Sequence, residues 1–411
     1  MNTLRTRRIG FDRRRANRQR GFTLVELLVA MAITTIILGA TMVAMTDAIK
    51  ATESAQQITD LNNGLRTSMD LMVRDLLQVG QGLPGGRFIG LPTGAGSLPM
   101  QLPGPDGSDY YLDGASFCPP RATDPDTICE EIYAVIPGPE RGPVVVDGQP
   151  PTDMITTLAA DSSFDTVTLR TFAADGRSIT VAPPCPATGA CNAPNHRSGR
   201  DITGGDTSDN IRSGDLIMLT KGSWSTLVQV STVSGQTINF AASDSLRLNQ
   251  AANIIGTAGD LQNNAPVDTC SPTSTCFVTT VATRIRMISY YLDVTSDPLH
   301  PRLVRRMNNG VWNDFDNSVG TVVAFDVEGL TFSYDLADGV NNPSNVRMND
   351  ADLDGSGRCS PSPCYASQIR KINISLAGRS RTVRRGTQQY FRNRLSTQVS
   401  LRSLAFVDRY R

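Results

Sequence analysis

Residues 20–46 read RGFTLVELLVAMAITTIILGATMVAMT, and this stretch sets how the rest of the chain is read. From Leu27 to Thr46 twenty residues pass without a charge. As a helix, that length crosses the ~30 Å hydrocarbon core of a bilayer. Eight arginines between Arg5 and Arg20 precede it, with Asp12 as the single acid among residues 1–21. By the positive-inside rule this basic end stays in the cytoplasm and everything after Asp47 is exported. An ordinary secretory signal is cut after its apolar stretch at a small-x-small site, and Ala40, Ala44 and Ala48 offer only loose versions of one.

The other end of the apolar stretch is more specific. Arg20-Gly21-Phe22 is followed by Thr23, Leu24, Val25 and then Glu26, a basic–Gly–Phe–x–x–x–Glu run that opens the helix. The segment GFTLVELLVAMAI closely resembles the class III signal of type IV pilins and pseudopilins. That resemblance implies a membrane peptidase, the prepilin peptidase, that cuts between Gly21 and Phe22 and N-methylates Phe22. It implies other pilins and an inner-membrane assembly platform as partners. It also implies that Glu26 pairs with the new α-amine of a neighbouring subunit. The physics of Glu26 agrees, because a bare charge at mid-bilayer costs roughly 2.5–3.5 kcal/mol on insertion scales and so needs a partner. A second role is compatible with the first: an acid in the first turn favours the helix macrodipole. Many pilins have a Pro midway along this helix, where Val43 stands here, and the nearest breaker is Gly39.

Past Asp47 the pattern becomes one-faced. Ile58, Leu61, Leu65, Met69, Met72, Leu76 and Val79 recur at three- and four-residue spacing, with Arg66, Asp70 and Arg74 on the outer side. Gly80, Gly82 and Pro84 end the run. The pattern predicts a helix whose second half covers a β-sheet. A free coiled coil is disfavoured, since the repeat covers only about three heptads.

The exported part is β-rich. With 35 Gly and 24 Pro among 411 residues, loops are plentiful. Residues 84–128 read as a long surface excursion, followed by strands at Glu131–Ile136, Thr166–Phe172, Ser178–Ala182, Asp215–Thr220, Ser225–Val233 and Thr237–Phe240. The last third contains IRMISYYLDV at 285–294, PRLVRRMNNG at 301–310, VVAFDVEGLTFSYD at 322–335, IRKINISLAG at 369–378 and LSTQVSLRSLAF at 395–406. This order resembles the PilW-type minor pilins and the related GspJ-type pseudopilins. The expected fold is therefore α+β. A long N-terminal helix, transmembrane then amphipathic, packs on antiparallel β-sheet, with a loop-rich β insertion. The expected segments are a cleaved leader 1–21, a transmembrane and assembly helix 22–46, its amphipathic continuation 47–83, a disulfide-bearing β region 84–280 and a pilin-like sheet region 281–411.

The eight cysteines form four close pairs: Cys118–Cys129, Cys185–Cys191, Cys270–Cys276 and Cys359–Cys364. Local pairs in polar, loop-like surroundings read as disulfides and hence as an oxidising compartment. The formal charge sums to zero, but the leader carries +7, residues 22–369 carry −17 and residues 370–411 carry +10. Arg379, Arg381, Arg384, Arg385, Arg392, Arg394 and Arg402 in the last segment either neutralise this acidic body or grip DNA phosphates, and the first reading is preferred.

Asp350, Asp352 and Asp354 before Gly355 resemble the start of a Ca²⁺ loop, making calcium the one candidate cofactor. The bidentate Glu of a full loop would fall at Pro361, so a solvated Asp/Gly turn is the bland alternative. No HExxH, Walker loop, CxxC or nucleophile elbow is present, and the two histidines, His196 and His300, sit in loop contexts. Catalysis is not expected. The sequence points to a minor pilin that starts as a single-pass inner-membrane protein, N-terminus inside, and moves to the pilus. The alternatives are a type II secretion pseudopilin, or a pilus-tip adhesin or calcium-binding module on a pilin anchor.

Overall fold

A computed structural model describes residues 22–83, 88–92, 100–104, 110–111, 131–173, 175–181, 201–202, 210–221, 224–242, 244–250, 280–295, 297–308, 320–348, 359, 364–383 and 388–405. By its contacts the chain divides into one unit ending at Gln56 and a second running from Gln57 to Arg411.

Helix α1 (Leu24–Leu77) supplies all of the described first unit except Phe22 and Thr23, and opens the second. In the second unit the spacing read from the sequence becomes the buried face. Leu61, Leu65, Met69, Met72 and Leu76 are buried, Ile58 is half-buried, and Arg66, Asp70 and Arg74 are exposed. Each such burial is worth ~1.5–3 kcal/mol against exposure. The helix stops at Leu77 because the chain then turns through Gly80 and Gly82, at φ +75° and +71°. Both also admit close neighbours: a Cβ on Gly82 would lie 2.6 Å from that of Ala160.

The chain then contributes β1 (Phe88–Gly90), β2 (Gln101–Leu102), β3 (Tyr110–Tyr111), β4 (Glu131–Tyr133), β5 (Val135–Gly138) and β6 (Met154–Ala160). Next come β7 (Val167–Phe172), β8 (Ser178–Val181), β9 (Leu216–Lys221), β10 (Trp224–Gln229), β11 (Thr232–Ser234) and β12 (Thr237–Asn239). The last third adds β13 (Val281–Asp293), β14 (Arg302–Met307), β15 (Thr321–Phe325), β16 (Val327–Leu336), β17 (Ile369–Arg379), β18 (Arg392–Ser400) and a short α2 (Arg402–Ala405). Pairing is antiparallel except between β1 and β10. The fold is α+β, as the sequence predicts. Two regions differ from the sequence reading. Ile89, Leu91, Met100 and Leu102 are buried, so the described parts of the expected surface excursion run through the core. Strand β6 has no alternating pattern because it is buried along nearly its whole length, and its threonines are satisfied internally: Thr156 Oγ1 lies 2.7 Å from Ser289 Oγ.

Strand β13 is the spine of the large sheet. Its first residues, Val281–Ile285, pair with β9, and Val281 and Ala282 also face β7. Beyond that point Ile285–Tyr290 pair with β6 and Ile288–Asp293 with β14. The strand thereby joins two apolar clusters. One contains the α1 face, β4–β6 and β13–β18; the other contains Phe164, Val167, Leu169, Ile217, Leu219, Ile238 and Ala282. Where β13 changes partners sits a buried ion cluster. Arg284 bonds Asp161 through Nε at 2.8 Å and Nη2 at 2.7 Å, Arg286 reaches the same carboxylate at 2.6 Å, and the Phe164 ring lies 4.8 Å from the Arg284 guanidinium. Burial pushes the Asp161 carboxyl up, but the Ser163 amide and hydroxyl, then the two guanidiniums, outweigh it and hold it below the usual carboxylate range.

Strands β16, β17 and β18 form a second, three-stranded sheet. The block 322–335, continuous in the sequence, is broken at Asp326, whose φ is +60°. There the chain leaves β14 and joins β17. His300 holds the break through Nδ1, 2.6 Å from Asp326 Oδ1, and so is a paired residue at a sheet junction rather than a free loop residue. This sheet comes close to α1: a Cβ on Gly378 would lie 3.0 Å from Leu61 and 3.1 Å from Leu65.

The buried acid on the helix face, Asp75, fastens helix to sheet. Its Oδ2 accepts from the Tyr290 hydroxyl on β13 at 2.6 Å and from Arg305 Nε on β14 at 2.6 Å. Burial, reinforced by the Asp75 carboxylate, pushes the Tyr290 phenol well above its usual range, so it stays a donor. Asp75→Ala strands both donors and is expected to cost about 3–5 kcal/mol, whereas Tyr290→Phe, which leaves the ion pair, costs ~1 kcal/mol. Urea unfolding of the detergent-solubilised chain measures both. For Asp161 the folded-state pKa is the lower one, so its contribution is complete above the unfolded value of ~3.9 and disappears as pH falls through the folded value. The stability gap between wild type and Asp161→Asn should accordingly be widest at neutral pH and close on acidification.

Candidate functional site

The candidate site is the first turn of α1. Phe22 and Thr23 precede the helix, and Glu26 lies in its first turn. Thr23 acts as the cap. Its hydroxyl accepts from the Glu26 amide at 3.2 Å. In return its amide and hydroxyl donate to Glu26 Oε2 at 3.0 and 3.1 Å. This reciprocal capping box satisfies helix-terminal N–H groups that a bilayer could not. Glu26 Oε1 has no partner among the described residues. The carboxylate is therefore half engaged: one oxygen fixes the first turn, and the other is available to a second cation.

Beyond it, every residue from Leu24 to Thr52 is exposed, and the most apolar window has a mean hydropathy of 2.3. The hydroxyls in this segment turn back onto their own helix. Thr34 bonds Ala30 O at 2.8 Å, Thr35 bonds Met31 O at 2.9 Å and Thr41 bonds Leu38 O at 2.9 Å. The segment thus offers an apolar surroundings almost no unsatisfied polar group between Leu27 and Thr46. The helix runs unbroken through Gly39 and Val43.

Residues 16–42 match the family described as the Prokaryotic N-terminal methylation motif. The chain carries a type IV prepilin-like signal. The match spans the Gly21–Phe22 junction, Glu26 and most of the apolar segment, and with the exposed helix it supports a membrane-anchored precursor processed by prepilin peptidase. No curated protein and no solved structure matches the chain.

The other residues singled out from sequence divide into two sets. Gly21, the acidic trio Asp350, Asp352 and Asp354, and the pairs Cys118–Cys129, Cys185–Cys191 and Cys270–Cys276 lie outside the described residues, as do Arg384 and Arg385. The pair Cys359–Cys364 is a disulfide, buried against the main core with Cα atoms 5.2 Å apart. Among the described residues, no group of three or more His, Cys, Asp or Glu is placed to hold a metal ion. The C-terminal arginines are partly neutralised locally. Glu328 pairs with Arg379 at 3.1 Å and with Arg392 at 2.7 Å, and the Tyr390 ring lies 4.4 Å from the Arg379 guanidinium.

Sequence reading passed over Thr23 as a site residue, although the T-x-x-E spacing before an apolar run is itself a capping-box signal. Thr23→Ala removes the cap and is expected to cost the helix about 1 kcal/mol. Amide exchange in micelles should then quicken over the first turn beside the prepilin signal, with the amides of Leu38 to Thr46 unchanged.

Proposed function

We propose that this chain is a minor pilin of a type IV pilus, a non-enzymatic structural or priming subunit of a membrane-anchored filament. Prepilin peptidase cuts between Gly21 and Phe22 and methylates Phe22. Before assembly the protein sits in the inner membrane as a single-pass subunit with its leader in the cytoplasm. It then joins other pilins through the assembly platform. The observation that carries this reading is the half-engaged Glu26 carboxylate, at the head of an exposed apolar helix and inside the methylation motif. Cleavage creates an α-amine at Phe22, and the amine of an adjacent subunit is the cation that the open oxygen of Glu26 lacks. Pairing them removes two charges from an apolar filament interior and sets the axial position of the incoming subunit. The resemblance of the C-terminal strand order to PilW-type proteins favours a minor over a main-shaft subunit.

Mass spectrometry of the membrane-extracted protein should find a mature chain that begins at N-methylated Phe22. Glu26→Ala should be cleaved normally yet be depleted at least tenfold from filaments. A mature N-terminus elsewhere, or normal incorporation of the variant, overturns the reading. Recovery in surface-sheared pili supports the pilus over a secretion pseudopilus.

A further inference from the structure

The second sheet ends in an open strand. Ser380 N–H donates to Phe391 O at 2.7 Å and Leu401 N–H to Arg370 O at 2.8 Å, in the same register that opposes Gly378 to Asn393 and Ile372 to Val399. Bonded and non-bonded pairs alternate along an antiparallel ladder. Asn393, Leu395, Thr397 and Val399 therefore direct their backbone groups to β17, and Arg394, Ser396 and Gln398 direct theirs away from the sheet. The Arg394 amide is taken by the Asn393 side chain at 2.8 Å. The amides of Ser396 and Gln398 have no partner among the described residues.

A nine-residue open edge is a template for pairing, and proteins usually blunt one with charged side chains, proline, a bulge or short length; the charges on β18 are Arg392, bound by Glu328, and Arg394, both near its N-terminal end. Strand β18 contains no proline, and its register with β17 is unbroken. The opposite edge, β16, is ten residues long, but its outer side is taken: Leu330 O accepts from the Asp153 amide at 2.9 Å, Phe332 N–H donates to Asp153 Oδ2 at 2.8 Å and Tyr334 exchanges backbone bonds with Val346. Among the other described edge strands β15 has five residues, β11 has three, and β5 has four with Pro137 among them.

The two faces of β18 say what would fit beside it. On the outer face Arg394 gives Nε to Ser375 Oγ at 2.7 Å, and its terminal nitrogens have no acid among the described residues. Arg379 and Arg392, in contrast, already share Glu328. On the inner face Leu395 packs against the main core and Val399 is buried. A strand laid along this edge would place alternate side chains beside Arg394 and beside Leu395.

We propose that β18 is an acceptor edge for strand addition by an extended acidic segment of a partner polypeptide, with a carboxylate on the Arg394 guanidinium and apolar side chains inward beside Leu395. A second copy of β18 is a poorer occupant. Symmetric pairing about Ser396 would set Arg394 against Gln398 and supply no acid. The inference stands apart from the filament reading, since it concerns only the exported sheet.

The test uses the full chain in detergent micelles and two fluorescent acetylated nonapeptides, one alternating Val and Glu, the other alternating Val and Lys. The Glu peptide should bind saturably and the Lys peptide at least tenfold more weakly. Ser396→Pro removes an outward amide but no bond to β17, and should weaken binding at least tenfold with an unchanged melting temperature. Arg394→Glu, which leaves the backbone intact, should transfer the preference to the Lys peptide. Equal affinity for the two peptides, or unchanged binding in the Arg394→Glu variant, overturns the proposal. Self-crosslinking through a photoreactive residue at Gln398, without peptide binding, overturns it in favour of a second copy.

Discussion

The Asp75 carboxylate is the constraint on which the unit from Gln57 onward depends. An apolar helix face specifies that α1 lies on a sheet, but methionine and leucine contacts are tolerant of sliding. A buried acid is not, because any shift that separates it from its donors leaves an uncompensated charge in the core. Tyr290 and Arg305 come from neighbouring strands, so the pairing fixes both the height and the rotation of the helix. Since Tyr290 belongs to β13, the helix is registered against the strand that the rest of the large sheet uses as its reference.

Much of this was legible in the sequence, and the failures have physical causes. The helix face could be read because apolar spacing at three and four residues has one structural meaning. Asp75 was hidden within that same pattern: only the fold reveals which flank of the stripe carries donors opposite. Strand β6 has no signature in the sequence because a strand covered on both sides loses its alternation. Asp326 was missed because a non-glycine residue with positive φ has no strong local signature. Its carbonyl and carboxylate are held by Arg379 and His300, both distant in sequence. The sequence placed Glu26 correctly at the head of the helix, but the sharing of its carboxylate with Thr23 rests on side-chain geometry.

That sharing resolves a conflict at the N-terminus. An acid in an apolar segment is costly when no cation is at hand. The cap answers the helix's own unsatisfied donors with the same group to which the proposed function gives an assembly role. The threonines farther along follow the same rule, each returning its hydroxyl to a carbonyl three or four residues back. The prepilin-like signal is thus arranged so that the helix is self-sufficient in lipid, apart from one oxygen.

The continuity of β13 has a bearing on how the β-rich unit comes apart. Two apolar clusters would ordinarily behave as separate foldons, each opening at its own free energy. Here one uninterrupted strand belongs to both, and the ion cluster around Asp161 sits where its partners change. Peeling β9 and β7 from its first residues exposes Arg284, and peeling β6 from its later ones exposes Asp161. Neither half can open without uncovering a charge that the other half holds. The described β-structure should therefore melt as a single cooperative body despite its split hydrophobic interior, leaving proteases no half-open intermediate to attack.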